Sequence, residues 1–90
     1  MNARVSYEYI IEGFPTLVEG SFHYGSPSLQ LREKFYFRGL SDGRWFLEFN
    51  NEIIDQGKWK DDLLGRGMDA EIAKEILAEC LEKWGKRNGG

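Results

Sequence analysis

Ninety residues with a net charge of -3 and 14% aromatic content make one small domain, too short to hold a separate catalytic unit and too acidic overall for a general polyanion binder. The single cysteine, Cys80, excludes an intrachain disulfide and a cysteine-based metal cluster, so no metal and no cofactor is expected. The opening Met-Asn-Ala-Arg-Val-Ser-Tyr-Glu lacks an apolar signal-peptide core, and no run reaches the roughly 18 apolar residues of a membrane span, so a soluble cytoplasmic protein is expected.

The first run alternates: Val5, Tyr7, Tyr9 and Ile11 interleave with Arg4, Ser6, Glu8 and Glu12, the pattern of a strand with one apolar face. Similar alternation returns in Val18 to Tyr24, Leu29 to Phe37 and Trp45 to Phe49. Pairing the first two runs across Gly13-Phe14-Pro15-Thr16 sets Ile11 against Val18, Tyr7 against Phe22 and Val5 against Tyr24, apolar on apolar throughout. The break at Gly25-Ser26-Pro27-Ser28 then sets Tyr24 against Leu29, Phe22 against Leu31 and Val18 against Phe35. At Ser41-Asp42-Gly43 a two-residue loop would oppose Phe37 and Glu48. A three-residue loop with glycine in the left-handed position opposes Phe37 to Leu47, Phe35 to Phe49 and Gly39 to Trp45, so the bulged form is predicted.

Residues 51–67 are ambiguous, because Ile53-Ile54 can extend the fourth strand while Lys58 to Leu64 suits a helical turn or a fifth strand. Beyond them Asp69 is a predicted N-cap, Glu71 and Lys83 match the helix dipole, and a helix is expected over about Ala70–Trp84, stopping at Gly85. Ile72, Ala73, Ile76, Leu77, Cys80, Leu81 and Trp84 form its apolar stripe, opposed by Glu71, Glu75, Glu79 and Glu82. The predicted fold is α+β: a four-stranded antiparallel meander with one C-terminal amphipathic helix on one face (ββββα), and room for a short further element at 53–64. One domain is expected over 1–85, with 86–90 a frayed tail. Four strands followed by a helix resembles the element order of Whirly-type and PUR-type single-strand nucleic-acid binders, a resemblance of topology alone.

Three constellations bear on chemistry. The predicted register puts Tyr9, Gly20, Glu33 and Asn51 in one inward row, with Gly20 leaving space beside a carboxylate: a candidate small-ligand pocket, against the plainer reading of Glu33 as solvated at the open end of the core. His23, the only histidine, is expected to face outward opposite Ser6 near Glu8 and Ser21, but a flat sheet supplies neither a pocket nor an oxyanion hole, so no catalytic residue is assigned. Gly65-Arg66-Gly67 lacks phosphate-loop spacing and reads as a loop.

The outer face of the sheet carries the stronger signal. Arg32, Lys34, Tyr36 and Arg38 on the third strand and Arg44 and Phe46 on the fourth put large aromatics among cations, facing Glu8, Glu12 and Glu19 on the first two strands. The expected function is a small interaction module that self-associates or docks a protein partner through this face. Single-stranded nucleic-acid binding through the same residues is the alternative, disfavoured by the acidic pI of about 5.1. An ordinary solvated surface, with Arg32 paired to Glu52 and Tyr36 beside Glu48, is the plain reading.

Overall fold

In a computed structural model describing residues 3–26, 29–64 and 67–88, the alternating runs become β1 (Arg4–Ile11), β2 (Thr16–Ser26), β3 (Leu29–Gly39) and β4 (Arg44–Phe49). A fifth strand, β5 (Glu52–Lys58), and a helix, α1 (Ala70–Asn88), complete an α+β fold in which the strands lie in sequence order in one antiparallel sheet. Of the undecided segment, Glu52–Lys58 is therefore a strand, whereas residues 59–64 form neither the helical turn nor the strand considered for them. The strand turns back from β4 on Asn50 and Asn51, whose φ values of 52° and 66° are the left-handed pair a two-residue hairpin needs and which asparagine tolerates.

The β3–β4 hairpin forms as predicted, with Phe37 opposite Leu47 and Gly39 opposite Trp45, and Gly43 takes φ 94°. Two other registers differ. Between β2 and β3 the pairing is displaced by two residues, setting Val18 against Phe37, Gly20 against Phe35 and Phe22 against Glu33. The strands reach Ser26 and Leu29, so their connection is shorter than the four-residue turn expected, whose Pro27 and Ser28 lie outside the described residues. A two-residue displacement leaves every side chain on its face.

The change in β1 matters more. Val5 opposes Phe22 and Tyr7 opposes Gly20, but the register shifts between Tyr7 and Tyr9, after which Tyr9 opposes Glu19 and Ile10 opposes Val18. This bulge at Glu8 reverses parity, so Ile10 packs against the core while Tyr9 and Ile11 turn outward. Gly20 sits where the strands crowd, since a Cβ there would collide with the Ser6 carbonyl oxygen and stand 3.0 Å from Phe35 Cζ.

Sheet and helix share one core, in which Val18, Phe22, Phe35, Phe37 and Leu47 meet Ala73, Ile76, Leu77 and Cys80. Phe22 and Phe35 lie 4.7 Å apart between ring centroids, and Trp84 closes one side edge-on to Phe49 at 5.7 Å. The helix start is held twice: the Ile72 N–H donates to the Asp69 carboxylate and the Ala70 N–H donates to Glu12, each at 2.9 Å. Glu12 thus faces the helix instead of joining the acidic outer group expected for it. The Thr16 hydroxyl, fully buried, ties the segment before the helix to the β1–β2 turn by donating to the Met68 carbonyl. The helix also runs beyond Gly85 to Asn88.

Candidate interaction face

With α1 on the inner side, strand parity gives the outer face three bands. At one end Ile11, Leu17, Arg38 and Phe46 form a row across β1 to β4, beside a second row of Tyr9, Glu19, Tyr36, Glu48 and Ile53. Ile11, Tyr9 and Ile53 are 53%, 39% and 50% exposed, a large apolar outlay for so small a domain. Arg38 Cζ lies 5.5 Å from the Phe46 ring centroid, and its Nε is buried without a hydrogen-bond acceptor. In the middle band Lys34 Nζ reaches Glu19 at 3.1 Å and Glu8 at 3.9 Å, and the Tyr9 hydroxyl also donates to Glu19. These two donors hold the Glu19 carboxyl below its ordinary range.

At the far end Arg4, His23 and Arg32 occupy paired positions on three neighbouring strands. Ser6 Oγ lies 3.0 Å from His23 Nε2, and Arg32 Nε donates to Ser21 Oγ at 3.2 Å instead of pairing with Glu52. Partial burial and the charges of Arg4 and Arg32 lower the His23 pKa. The Ser6–His23 contact lacks the carboxylate that favours imidazolium in a Ser-His-Asp triad, and these cations act in the opposite direction. Arg44 is held by Asp42 at 2.7 Å, and Tyr36 opposes Glu48 as expected.

The six predicted surface residues Arg32, Lys34, Tyr36, Arg38, Arg44 and Phe46 do share this face. Sequence parity missed Tyr9, Ile11 and Ile53, which it turned inward or left unplaced. Counting strand positions, the face holds six cations (Arg4, Arg32, Lys34, Arg38, Arg44, Lys58) against three carboxylates (Glu8, Glu19, Glu48). Of the fifteen acids and twelve Lys and Arg in the chain, twelve acids and six cations are left for the rest of the molecule. An acidic protein thus carries a net positive sheet face.

The predicted row of Tyr9, Gly20, Glu33 and Asn51 does not form. The bulge sends Tyr9 outward, Gly20 faces Tyr7 and Phe35 in the core, Glu33 pairs with Phe22 towards one end, and Asn51 is in the β4–β5 turn. Two recesses lie among the described residues. One of about 410 Å³ opens beside Tyr36 where the β3–β4 ladder ends, lined by Glu19, Lys34, Glu48, Asn50 and Asn51. The second, about 260 Å³, lies between β4–β5 and α1, with Trp45 and Ile76 as its apolar lining and Asp55, 3.1 Å from Lys83 Nζ, at its polar side. Cys80 also lines it, its thiol pushed up to about 12, chiefly by burial.

Among the described residues no three His, Cys, Asp or Glu side chains group to hold a metal, and no helix is long and apolar enough to cross a membrane. The fifth strand also departs from the four-strand order of Whirly-type and PUR-type binders. Comparison with known proteins finds no matching family model, no matching curated protein and no matching solved structure.

Proposed function

We propose that the chain is a protein-interaction module that docks an acidic, partly apolar segment of a partner on the outer face of its sheet. The segregation of charge carries this reading: Arg4, Arg32 and Arg38 have no carboxylate within ion-pair reach among the described residues, and they flank exposed Tyr9 and Ile11 and half-buried Tyr36 and Phe46 on a face that α1 leaves bare. Symmetric self-pairing of this face is disfavoured, because it would set one net positive surface against another. Edge-to-edge pairing is disfavoured too, since β1 is interrupted by its bulge and β5 turns Asp55 inward, both devices that blunt a sheet edge. The lone buried Cys80 supports a reducing, cytoplasmic setting.

Single-stranded nucleic acid is the second reading, favoured by Arg38 over Phe46 beside Tyr36. Against it, Glu8, Glu19 and Glu48 lie in the middle of the face, where a continuous phosphate backbone would have to cross them. Fluorescence anisotropy with a labelled peptide of alternating Asp and Leu, against a single-stranded oligonucleotide of equal charge, decides between them. The expected result is peptide binding that Tyr36→Ser with Phe46→Ser abolishes while the circular-dichroism spectrum is kept. No peptide binding at low salt, or tighter binding of the oligonucleotide, overturns the proposal.

A further inference from the structure

We infer that Arg4, His23 and Arg32, with the Ser6 and Ser21 hydroxyls beside them, form a binding site for the dianion of a phosphate monoester, carried as a phosphorylated serine or threonine of the docked segment. The inference rests on the docking reading above and names the group that its partner presents at the cationic end of the face.

Two arginines flanking a histidine at directly paired positions on adjacent strands put like charges on one patch and disfavour the imidazolium between them, an arrangement that an unliganded sheet surface gains nothing by keeping. The two inner members of the cluster are anchored by neutral hydroxyls. Among the described residues Arg32 bonds through its Nε alone, to the almost fully buried Ser21, so that neither terminal guanidinium nitrogen is engaged there; His23 is steadied by Ser6. A hydroxyl fixes geometry without neutralising charge, which is what recognition of a planar or tetrahedral oxyanion needs. The nearest acids on this face, Glu8 and Glu19, are engaged by Lys34, while Glu33 projects to the opposite face beside Tyr24.

The concentration of charge favours a point dianion over a chain of diesters. Three cationic or protonatable groups occupy directly paired positions at one end of the face, and Glu8 and Glu19 separate them from Arg38, so successive monoanions running along the face would meet repulsion after the first. A single phosphoryl group beside an apolar segment fits both bands at once, its oxygens on the arginine forks and its chain over Leu17, Tyr36 and Phe46.

The pH response is set by His23 together with Arg4 and Arg32, which face it from β1 and β3. Without ligand the two arginines favour neutral imidazole, and a bound dianion reverses that balance, so ligand and proton bind together. Sulfate, which keeps both charges throughout, should bind more tightly as pH falls through the lowered His23 value. A phosphate monoester should gain less, because it takes up its own proton near pH 6.

The test uses the sole histidine as reporter. Proton NMR follows the His23 ring signals during titration with inorganic phosphate, sulfate and O-phosphoserine at constant ionic strength set by chloride. Saturable shifts and a rise of about one unit in the His23 midpoint are expected. Arg32→Gln and Arg4→Gln should each weaken phosphate about tenfold, Arg32→Lys less, and Lys60→Gln not at all. Shifts no larger than chloride gives, or equal weakening by Lys60→Gln, overturn the site. A second arm separates this inference from the docking reading by comparing one acidic apolar peptide with and without phosphoserine. About tenfold tighter binding of the phosphopeptide supports the site. Equal binding overturns the site and leaves the docking face standing, whereas binding of neither removes both. Tighter binding of a nucleoside monophosphate than of O-phosphoserine assigns the cluster to a nucleotide and overturns the partner named here.

Discussion

The Arg38 guanidinium lies over the Phe46 ring, its carbon 5.5 Å from the centroid, at directly paired positions of β3 and β4. This contact gathers a cation and a large ring on one side of the sheet, while Leu17, paired to Arg38 on β2, extends the same row. The cation is not fully satisfied: among the described residues its buried Nε has no acceptor, and no carboxylate is within ion-pair reach. Such a group opposes folding, because its desolvation is not offset by a hydrogen bond.

The consequence is a divergence between stability and binding. Arg38→Met keeps the apolar stem over Phe46 and removes the unsatisfied nitrogen, so the urea midpoint should hold or rise, by up to about 1 kcal/mol in stability. Capture of an acidic peptide should fall in the same variant. If Arg38→Met lowers stability by more than that amount, the guanidinium is a structural element and the divergence does not exist.

Gly20 marks the bulge in β1. A Cβ there would collide with the Ser6 carbonyl oxygen, which is backbone and cannot swing aside, and would press on Phe35 Cζ at 3.0 Å. Gly20→Ala should therefore cost about 1 to 3 kcal/mol, the range for overpacking, although alanine suits a strand better than glycine. An unchanged urea midpoint would mean that the strands can separate freely at this point.

The parts of the fold that could be read from the sequence are those where one parity alone satisfied the apolar pattern. Phe37 against Leu47 was such a case, because the competing loop opposed Phe37 to Glu48; the stripe from Ile72 to Trp84 behind Asp69 was another. The bulge in β1 was hidden because Ile10 and Ile11 are both apolar, so either can face the core without penalty to the pattern. The displacement between β2 and β3 was hidden because two residues of slip preserve both faces. For β5, adjacent Ile53 and Ile54, inward Asp55 and a register shift beside Leu47 break the alternation that would announce a strand. The cations and aromatics on the outer face of β3 and β4 were visible, but Tyr9 and Ile11 depended on the bulge.

Glu12 is 58 residues from the helix N-terminus that it caps. Glu12→Ala should destabilise the fold by about 1 kcal/mol, comparable with Asp69→Ala, because each carboxylate satisfies a different orphan N–H and favours the positive end of the same helix. Denaturant midpoints of the two single variants and the double variant measure this. A Glu12→Ala effect near zero, typical of an exposed acid, would mean that Asp69 and solvent suffice.

The Cys80 thiol should be chemically silent in the native state. Burial pushes its pKa up to about 12, with Asp55 adding to the rise, so the nucleophilic thiolate is scarce near neutral pH. Ellman's reagent should react at a rate limited by opening of α1 away from β4 and β5, and denaturant should accelerate it to the rate of a free thiol. Rapid labelling of the folded protein would show that the cleft beside Trp45 admits reagent and stabilises the thiolate.

His23 gives the fold a direct dependence on acid. Its pKa is lowered, first by partial burial and then by Arg4 and Arg32, so the unfolded chain takes up the proton more readily than the folded one. The sign follows: this contribution to stability is fully present above the unfolded value of about 6.5 and is lost as pH falls through the lower folded value. In chloride buffer the His23 midpoint should lie below that of a histidine model peptide, and Arg32→Gln should move it upward by removing one of the opposing charges. Stability curves of wild type and His23→Gln should converge above neutrality and separate on acidification, with wild type losing more. A midpoint at or above the model-peptide value, or curves that stay parallel throughout, would mean that the arginines do not act on this imidazole and that the cationic end of the face is too loosely arranged to hold an anion.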